Sequence, residues 1–221
     1  MSKTNKEIVQ VFFNQVINQK RMDLWDEYIS KDFVSHAAPY IGMGFTEDSS
    51  SGKLLITSIA PGGPTDGNLQ VGDEIIRIED DLNVWDTFEQ LKTAVLGIGK
   101  TGTAIKVRVR RGTETFDYEI TRGLIEGYDI SYEVVKGNYR AFLTDLYPDV
   151  EVKVEKMIAE DDIVACYTIY QGTNSDFNRE VIWPDSAFYR LSDGKIVEEW
   201  YVSDYVGALK QLGYDIKAPE A

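Results

Sequence analysis

A glycine-rich segment between about residues 40 and 123 interrupts a chain whose two outer parts share a different pattern. Seven glycines fall between positions 42 and 72, where short apolar runs alternate with turns. The outer parts instead carry apolar residues at helical spacing and long strand-like runs. Because glycine-rich turns and short strands are typical of a small β-rich module, the pattern predicts one domain inserted into another.

Composition and charge exclude several classes of protein. The 221 residues carry a net charge of −14 at pH 7, so a role in binding nucleic acid or an anionic membrane surface is not expected. Cys166 is the only cysteine and is interpreted as a packing residue, and His36 is the only histidine. We expect no disulfide within the chain, no metal site and no cofactor. The absence of an apolar span and of a signal-peptide pattern near Met1 favours the cytoplasm of a bacterium.

The periodicity predicts an α+β fold around an antiparallel meander, interrupted by the β-rich module. The domain assignment is 1–38 with 124–221 for the outer domain and 39–123 for the insertion. Predicted helices are 4–19, 22–30, 87–96, a helix capped by Asn138, and 204–212. Predicted strands are 54–59, 74–78, 104–109, 118–121, 151–159, 163–171, 179–191 and 195–203.

Four motifs follow one another through the glycine-rich segment. They are Gly42-Met43-Gly44-Phe45, Ile59-Ala60-Pro61-Gly62-Gly63-Pro64, Leu69-Gln70-Val71-Gly72-Asp73-Glu74-Ile75-Ile76, and Gly102-Thr103 followed by Val107-Arg108-Val109-Arg110-Arg111-Gly112. In this order they resemble a PDZ domain of the bacterial type. The resemblance implies a groove that binds the C-terminus of a peptide as an added strand.

The resemblance also assigns the residues of that peptide groove. The loop Gly42-Met43-Gly44-Phe45 is expected to direct backbone N–H groups toward the peptide carboxylate. The far wall is expected from a helical stripe of Thr87, Leu91 and Val95. Thr87 stands where many eukaryotic relatives carry a histidine, so the class of peptide stays open.

The outer parts, Lys6 to His36 and Asn138 to Leu212, carry a second set of motifs. These are Val11-Phe12-Phe13, Asp32-Phe33-Val34-Ser35-His36, Tyr147-Pro148-Asp149-Val150, Ile158-Ala159-Glu160-Asp161-Asp162-Ile163-Val164-Ala165, Gln171-Gly172-Thr173, Asp193-Gly194-Lys195-Ile196-Val197-Glu198-Glu199-Trp200, and Asp204. They resemble the SnoaL-like polyketide cyclases of the nuclear transport factor 2-like superfamily. That resemblance implies helices packed on a curved antiparallel sheet, with a deep pocket.

In such cyclases an acid near the end of the last strand acts as general base, and Asp204 matches its position. A carboxylate beside aromatic walls is expected to be desolvated, which raises its pKa. The alternative is that Asp204 caps the helix that begins at Tyr205. The two roles are compatible.

Two further residues are candidates for catalysis by the same resemblance. His36 is expected to hold or polarise a ligand carbonyl, or else to bond a backbone carbonyl. Asn174 stands where many cyclases have histidine, and it can donate a hydrogen bond to an oxyanion but cannot shuttle protons. Tyr167 likewise stands where many have arginine. These departures leave a different ligand, or no reaction, as alternatives to cyclase chemistry.

The predicted pocket wall is formed by Trp200, Tyr167, Glu198 and Trp183. Its expected ligand is a small apolar or carbonyl-containing molecule. Ordinary packing of a curved sheet is the alternative role for the aromatic residues, and an exposed strand end is the alternative for Glu198.

Three classes of function follow from these motifs. The first is a cofactor-independent cyclase or isomerase that uses Asp204 as base. The second is a non-catalytic protein that binds the same ligands. The third is a peptide-binding adaptor whose outer domain forms a homodimer. Because the insertion leaves the outer domain just after His36, we also expect peptide binding to alter access to the pocket.

Overall fold

A computed structural model describes residues 3–49, 51–81, 83–92, 94 and 100–214. The chain divides into an outer unit, residues 1–37 with 129–221, and an inserted unit, residues 38–128. Residues 124–128, assigned above to the outer domain, group with the inserted unit, because strand Gly123–Ile125 pairs with strand Tyr40–Gly42. Among the described residues, no helix has the length and apolar character needed to cross a membrane.

The helices and strands are numbered along the whole chain. The helices are α1 Asn5–Val11, α2 Trp25–Tyr28, α3 Phe88–Leu91, α4 Tyr132–Ala141 and α5 Tyr205–Leu212. The strands are β1 Ile29–Ala37, β2 Tyr40–Gly42, β3 Phe45–Asp48, β4 Leu54–Ile59, β5 Glu74–Glu79, β6 Val84–Trp85, β7 Ala104–Arg111, β8 Glu114–Thr121, β9 Gly123–Ile125, β10 Tyr128–Ser131, β11 Glu151–Glu160, β12 Ile163–Asn174, β13 Arg179–Ser192 and β14 Lys195–Ser203. Wider π-helical turns extend α1 over Phe12–Asn18 and α4 over Phe142–Leu146, and a 3₁₀ turn, Met22–Leu24, precedes α2.

The outer unit has the α+β fold that the sequence predicts. Its sheet has the order β10-β1-β14-β13-β12-β11, in which β11 to β14 form the expected antiparallel meander. The sheet is mixed rather than wholly antiparallel, because β1 pairs with β14 in parallel. The helix predicted over 22–30 ends at Tyr28, where the β-branched Ile29 begins β1.

The two helices that cover the sheet differ in how well their starts could be predicted. The capping box before α1 is confirmed: Thr4 N–H donates to Glu7 Oε2 at 2.7 Å, and the Glu7 N–H donates to Thr4 Oγ1. The prediction that Asn138 caps a helix is wrong, because α4 begins at Tyr132. Tyr132 and Val135 are buried and extend the apolar row of that helix by two turns toward its N-terminus.

The core of the outer unit lies between these helices and one face of the sheet, called the inner face below. Its largest fully buried side chains are Phe12, Phe13, Ile17, Trp25 and Leu143. Phe12 meets Trp25 edge to face, with ring centroids 5.8 Å apart.

The inserted unit contains its own sheet and its own core. The sheet has the order β3-β4-β5-β7-β8, with β6 beside β5, while β2 and β9 pair separately. Its core includes Met43, Ile56, Ile75, Ile78, Leu91, Ile105 and Val109. The predicted helix 87–96 is described only in part: α3 begins after Thr87, whose side chain accepts a hydrogen bond from the Gln90 N–H.

Candidate active site

A row of polar side chains crosses the inner face of the outer sheet. Ser35 of β1 is in register with Glu199 of β14, which is in register with Tyr189 of β13. The three residues are buried, and Glu199 is only 4% exposed. Because residues in register share a face of a sheet, the strand pairing places a carboxyl group within the helix-covered core.

The Glu199 carboxyl group has neutral partners. The Tyr139 hydroxyl of α4 donates to Glu199 Oε1 at 3.2 Å, and the Ser35 side chain also hydrogen-bonds to Glu199. Burial raises the pKa of Glu199 to about 7, the charge of Asp185 adds to this rise, and the two hydrogen bonds oppose it. A carboxyl group with a pKa near 7 can both accept and donate a proton at neutral pH.

A second carboxyl group, Asp185, lies further along the same face. Asp185 is in register with Ser203. Between Asp185 and Tyr189 on the same face lies the buried Ala187, which is in register with Tyr201. Burial raises the pKa of Asp185 to about 6, opposed by a hydrogen bond from Ser203. Exposure rises from 4% at Glu199 to 48% at Tyr201, so the inner face becomes open to solvent toward the end of β14.

Tyrosine hydroxyl groups complete the surroundings of Glu199. Burial raises the pKa values of Tyr139, Tyr170 and Tyr189 well above their ordinary value, so these phenols stay neutral. A neutral phenol donates hydrogen bonds, and inside a core such a bond stabilises a developing oxyanion more than it does in water. The inner face therefore combines a proton-accepting carboxyl group with nearby donors.

His36 lies on the opposite, outer face of the sheet. It is in register with Trp200, and the two rings stack at a centroid distance of 4.5 Å. His36 Nδ1 lies 2.8 Å from Asp129 Oδ1, and Nε2 lies 3.6 Å from Glu198 Oε2. The structure therefore brings His36, Trp200 and Glu198 together, away from the helix-covered core.

Asp204 and Asn174 have structural contacts. Asp204 is exposed and accepts a hydrogen bond from the Gly207 N–H at 2.8 Å as the N-cap of α5, so the expected desolvation falls on Glu199 instead. Asn174 is buried at the β12–β13 connection, where its side-chain oxygen accepts from the Asp176 and Phe177 N–H groups. His36 pairs with Trp200, which lies four residues before Asp204. Four residues of extended strand span about 13 Å, so the structure does not bring His36 and Asp204 together.

The four predicted wall residues divide between the two faces. Trp183 is on the inner face and stacks on Tyr170 at 5.4 Å. Tyr167, Glu198 and Trp200 face outward, so the prediction of one shared wall is wrong. The physical reason is a β-bulge in β14 between Ile196 and Glu198, where β13 continues from Leu191 to Arg190 without an extra residue. The bulge turns Glu199 inward and leaves Glu198 on the outer face.

Three residues of the candidate site have no role in the sequence-based prediction. Glu199 directly follows Glu198 in one of the motifs above, but the resemblance gives a role only to Glu198, and it gives none to Asp185 or Tyr139. The available signal was the pair of adjacent glutamates in a strand, since one of the two must face the core.

The inserted unit provides the loop and the open strand expected for a peptide groove. Met43 and Phe45 are buried in its core, so only the backbone of the loop is left to meet a ligand. Gly44 has φ +85°, and its carbonyl oxygen accepts from the Ala60 N–H at 2.8 Å and from Thr65 Oγ1. Strand β3 lies at the edge of the sheet that the described residues form, which is the position an added strand requires.

The predicted far wall of this groove is described only in part. Thr87 caps α3, and Leu91 is buried in the core of the inserted unit. Val95 lies outside the described residues.

A separate depression of about 300 Å³ lies between α1 and β11. It is lined by Lys6, Glu7, Gln10, Val154, Glu155, Lys156 and Met157. These are mostly exposed side chains, and the depression contains none of the predicted site residues.

Comparison with known families agrees with the two resemblances. Residues 119–212 match the model of the SnoaL-like polyketide cyclases, and residues 39–121 match a PDZ domain model. Among solved structures, IdmH of Streptomyces antibioticus, assigned as a polyketide cyclase, is 15% identical, with a TM-score of 0.51 over 96% of this chain and 100% of IdmH. A loop-truncated variant of IdmH is 17% identical, with a TM-score of 0.50 over 95% of this chain and 100% of the variant. These similarities show the fold.

A curated relative shares a shorter region. A protein of Staphylococcus haemolyticus assigned as a CtpA-like serine protease is 24% identical over 133 residues, which is 58% of this chain and 26% of the relative. The chain thus spans about a quarter of the length of that relative.

Proposed function

We propose, for a chain that carries a PDZ domain within a SnoaL-like domain, that the SnoaL-like domain is a cofactor-independent enzyme. It removes a proton next to a carbonyl group of a small molecule, in a reaction of the cyclase or isomerase type. The observation that supports this proposal is the buried Glu199 carboxyl group, bonded to Tyr139 and Ser35. The base is Glu199 rather than the exposed Asp204.

The proposed reaction uses groups of the inner face. The Glu199 carboxylate takes a proton from the carbon next to the substrate carbonyl, and the electron pair of the C–H bond moves to form an enolate. Phenol hydroxyl groups such as that of Tyr170 are donors for the enolate oxygen. In a cyclase the enolate carbon then attacks a second carbonyl, whose oxygen takes the proton from the protonated Glu199. In an isomerase the enolate takes that proton back at another carbon. No outside oxidant is needed.

Exchange of substrate protons with solvent tests this function without knowledge of the natural substrate. The neutral ketone 2-tetralone, incubated in D₂O with the protein, is expected to exchange its α-protons faster than in buffer, as followed by NMR. The rate is expected to rise with pH up to about 7, because Glu199 must be ionised to act as base. Binding of 2-tetralone without faster exchange would favour the non-catalytic alternative.

The PDZ domain supplies a second candidate function, peptide binding. The open edge of β3 and the loop at Gly44 support it. A peptide with a free C-terminus is expected to bind more tightly than its C-terminal amide, since the loop amides would bind the carboxylate. Gly44→Asp places a negative charge there and is expected to abolish the difference. Gly52→Asp is the control for a charged side chain at positive φ, since Gly52 has φ +76° and open space around it. A Cβ at Gly44, by contrast, lies 3.3 Å from the Ile125 side chain.

Coupling between the two functions is a further part of the proposal. Both segments that connect the units are continuous with β1 and β10 of the outer sheet. Saturating peptide is expected to change the affinity for 2-tetralone in the wild-type protein but not in Gly44→Asp. If neither the peptide nor Gly44→Asp changes the affinity for 2-tetralone, coupling is contradicted. The adaptor alternative then stands.

We also propose that the outer unit forms a homodimer through the outer face of its sheet. That face exposes the apolar side chains of Ile158, Tyr167, Ile182, Phe188, Trp200 and Val202. Contiguous exposed apolar surface marks interaction sites. Sedimentation is expected to give a dimer that Phe188→Lys converts to monomer and that Val71→Lys, at an exposed apolar position of the inserted unit, leaves intact.

A further inference from the structure

Trp25, the first residue of α2, buries a polar group that has no partner. The side chain is 1% exposed, and its indole N–H makes no hydrogen bond to any residue that the structure describes. An unsatisfied buried donor costs free energy, and buried polar groups are nearly always bonded to protein or to ordered water. The indole N–H therefore calls for an acceptor.

The position of Trp25 connects this donor to the candidate active site. Its ring packs against Tyr139 with centroids 5.0 Å apart, and the Tyr139 hydroxyl donates to Glu199. Helix α2 also packs against β14, the strand that carries Glu199. The Trp25 ring and the Glu199 carboxyl group thus contact the same tyrosine.

We propose that Trp25 is a ligand-binding residue of the SnoaL-like domain, whose indole N–H donates to an oxygen acceptor of the ligand. This inference rests on the proposed function and narrows its substrate class to neutral molecules that present a carbonyl oxygen toward α2. The hydrogen bond strengthens as negative charge develops on that oxygen, because a charged acceptor bonds more strongly than a neutral one. A hydrocarbon of the same shape leaves the donor unsatisfied.

A pair of probes that differ only in the acceptor tests the inference. They are 2-tetralone and 2-methylenetetralin, in which a CH₂ group replaces the carbonyl oxygen. Trp25→Phe removes the N–H and keeps an aromatic ring. It is expected to weaken binding of 2-tetralone about 2- to 10-fold, the range for one hydrogen bond, and to leave 2-methylenetetralin unchanged. Trp183→Phe, the same change at a buried tryptophan of β13, is expected to affect both probes equally.

The indole signal of Trp25 gives an independent readout in the wild-type protein. The chain has four tryptophans, so the ¹H–¹⁵N indole signal that is lost in Trp25→Phe belongs to Trp25. If that variant does not fold, Phe substitutions at the other three tryptophans assign the Trp25 signal by elimination. We expect 2-tetralone to move this signal downfield, as a new hydrogen bond does, and 2-methylenetetralin not to do so.

The outcomes separate the inference from the function on which it rests. If Trp25→Phe weakens the binding of both probes equally, or if both probes move the indole signal equally, the inference is overturned. Ligand binding by the SnoaL-like domain then still stands. If faster proton exchange of 2-tetralone is seen with no selective effect at Trp25, the enzyme proposal stands alone. If neither probe binds, both are overturned.

Discussion

The surroundings of two buried acids, one in each unit, shift the pKa values of these acids in opposite directions. Asp73 of the inserted unit is 1% exposed and accepts hydrogen bonds from Arg111 Nε and Nη2, both at 2.7 Å. Burial alone would raise the pKa of Asp73, but the Arg111 guanidinium and the Gln70 N–H lower it. Glu199 of the outer unit is 4% exposed, its partners are neutral, and its pKa is raised to about 7.

The difference separates an acid whose surroundings suit a structural role from one whose surroundings suit the proposed proton transfer. A paired carboxylate stays charged and holds two elements together, and removing one partner destabilises the protein. A buried acid without a cation changes its protonation state near neutral pH, which is a property of groups that transfer protons. The comparison therefore supports a structural role for Asp73 and the proposed catalytic role of Glu199, and each variant below tests one of these roles.

The largest effect is expected from Glu199→Gln. The amide keeps the shape of the side chain but cannot accept a proton, so exchange of the 2-tetralone α-protons is expected to fall about 100-fold or more. Glu198→Gln is the matched control, since Glu198 lies on the outer face beside Arg190. Equal losses in the two variants would contradict the assignment of Glu199 as base.

Asp73→Asn tests the structural side of the comparison. It leaves Arg111 without its carboxylate, and the free energy of unfolding of the inserted unit is expected to fall by about 3–5 kcal/mol. Urea unfolding measures the loss, with proton exchange of 2-tetralone followed in parallel and expected to be unchanged. Asp117→Asn, which breaks the exposed pair with Arg108, is expected to cost much less.

The pH dependence of stability is expected to differ between the two acids. Glu199 is protonated in the folded state up to about pH 7 but only to about 4.5 when unfolded. The free energy of unfolding therefore falls as pH rises between these values, by on the order of 3 kcal/mol. Asp73, with its lowered pKa, contributes stability above its unfolded pKa that is lost in acid. Urea unfolding across pH measures both, and Glu199→Gln is expected to abolish only the first dependence.

The smallest effect is expected from Asp204→Ala. Loss of the N-cap bond to Gly207 is expected to destabilise the protein by about 1 kcal/mol, as judged from urea unfolding. Exchange of 2-tetralone protons is expected to remain. A loss of exchange as large as that of Glu199→Gln would return the role of base to Asp204.

The fold followed from the sequence because its signals are local. Turn residues such as Asp193-Gly194 and the alternation along β13 predict the meander, and the ordered glycine motifs predict the inserted domain. Two of the points that failed depend on more distant contacts. The parallel pairing of β1 with β14 joins segments about 160 residues apart, and α4 begins at Tyr132 because tertiary burial extends its apolar row.

The site was less predictable because it depends on which way single side chains point. Period-2 alternation groups Trp200 with Glu198 correctly, but it does not say which face the helices cover. The β-bulge between Ile196 and Glu198 shifts the alternation by one residue and turns Glu199 inward. The register of β1 then places Ser35 beside Glu199 and leaves His36 outside.

An NMR titration of the side-chain carboxyl carbons of glutamate tests the proposed role of Glu199 most directly, with Glu199→Gln used to assign the Glu199 signal. The raised pKa predicts that this signal titrates with a midpoint near pH 7, well above the ordinary glutamate value. Binding of 2-tetralone is expected to perturb the signal. A midpoint near 4.5 would show a solvated carboxylate and contradict the assignment of Glu199 as the proton-transferring group.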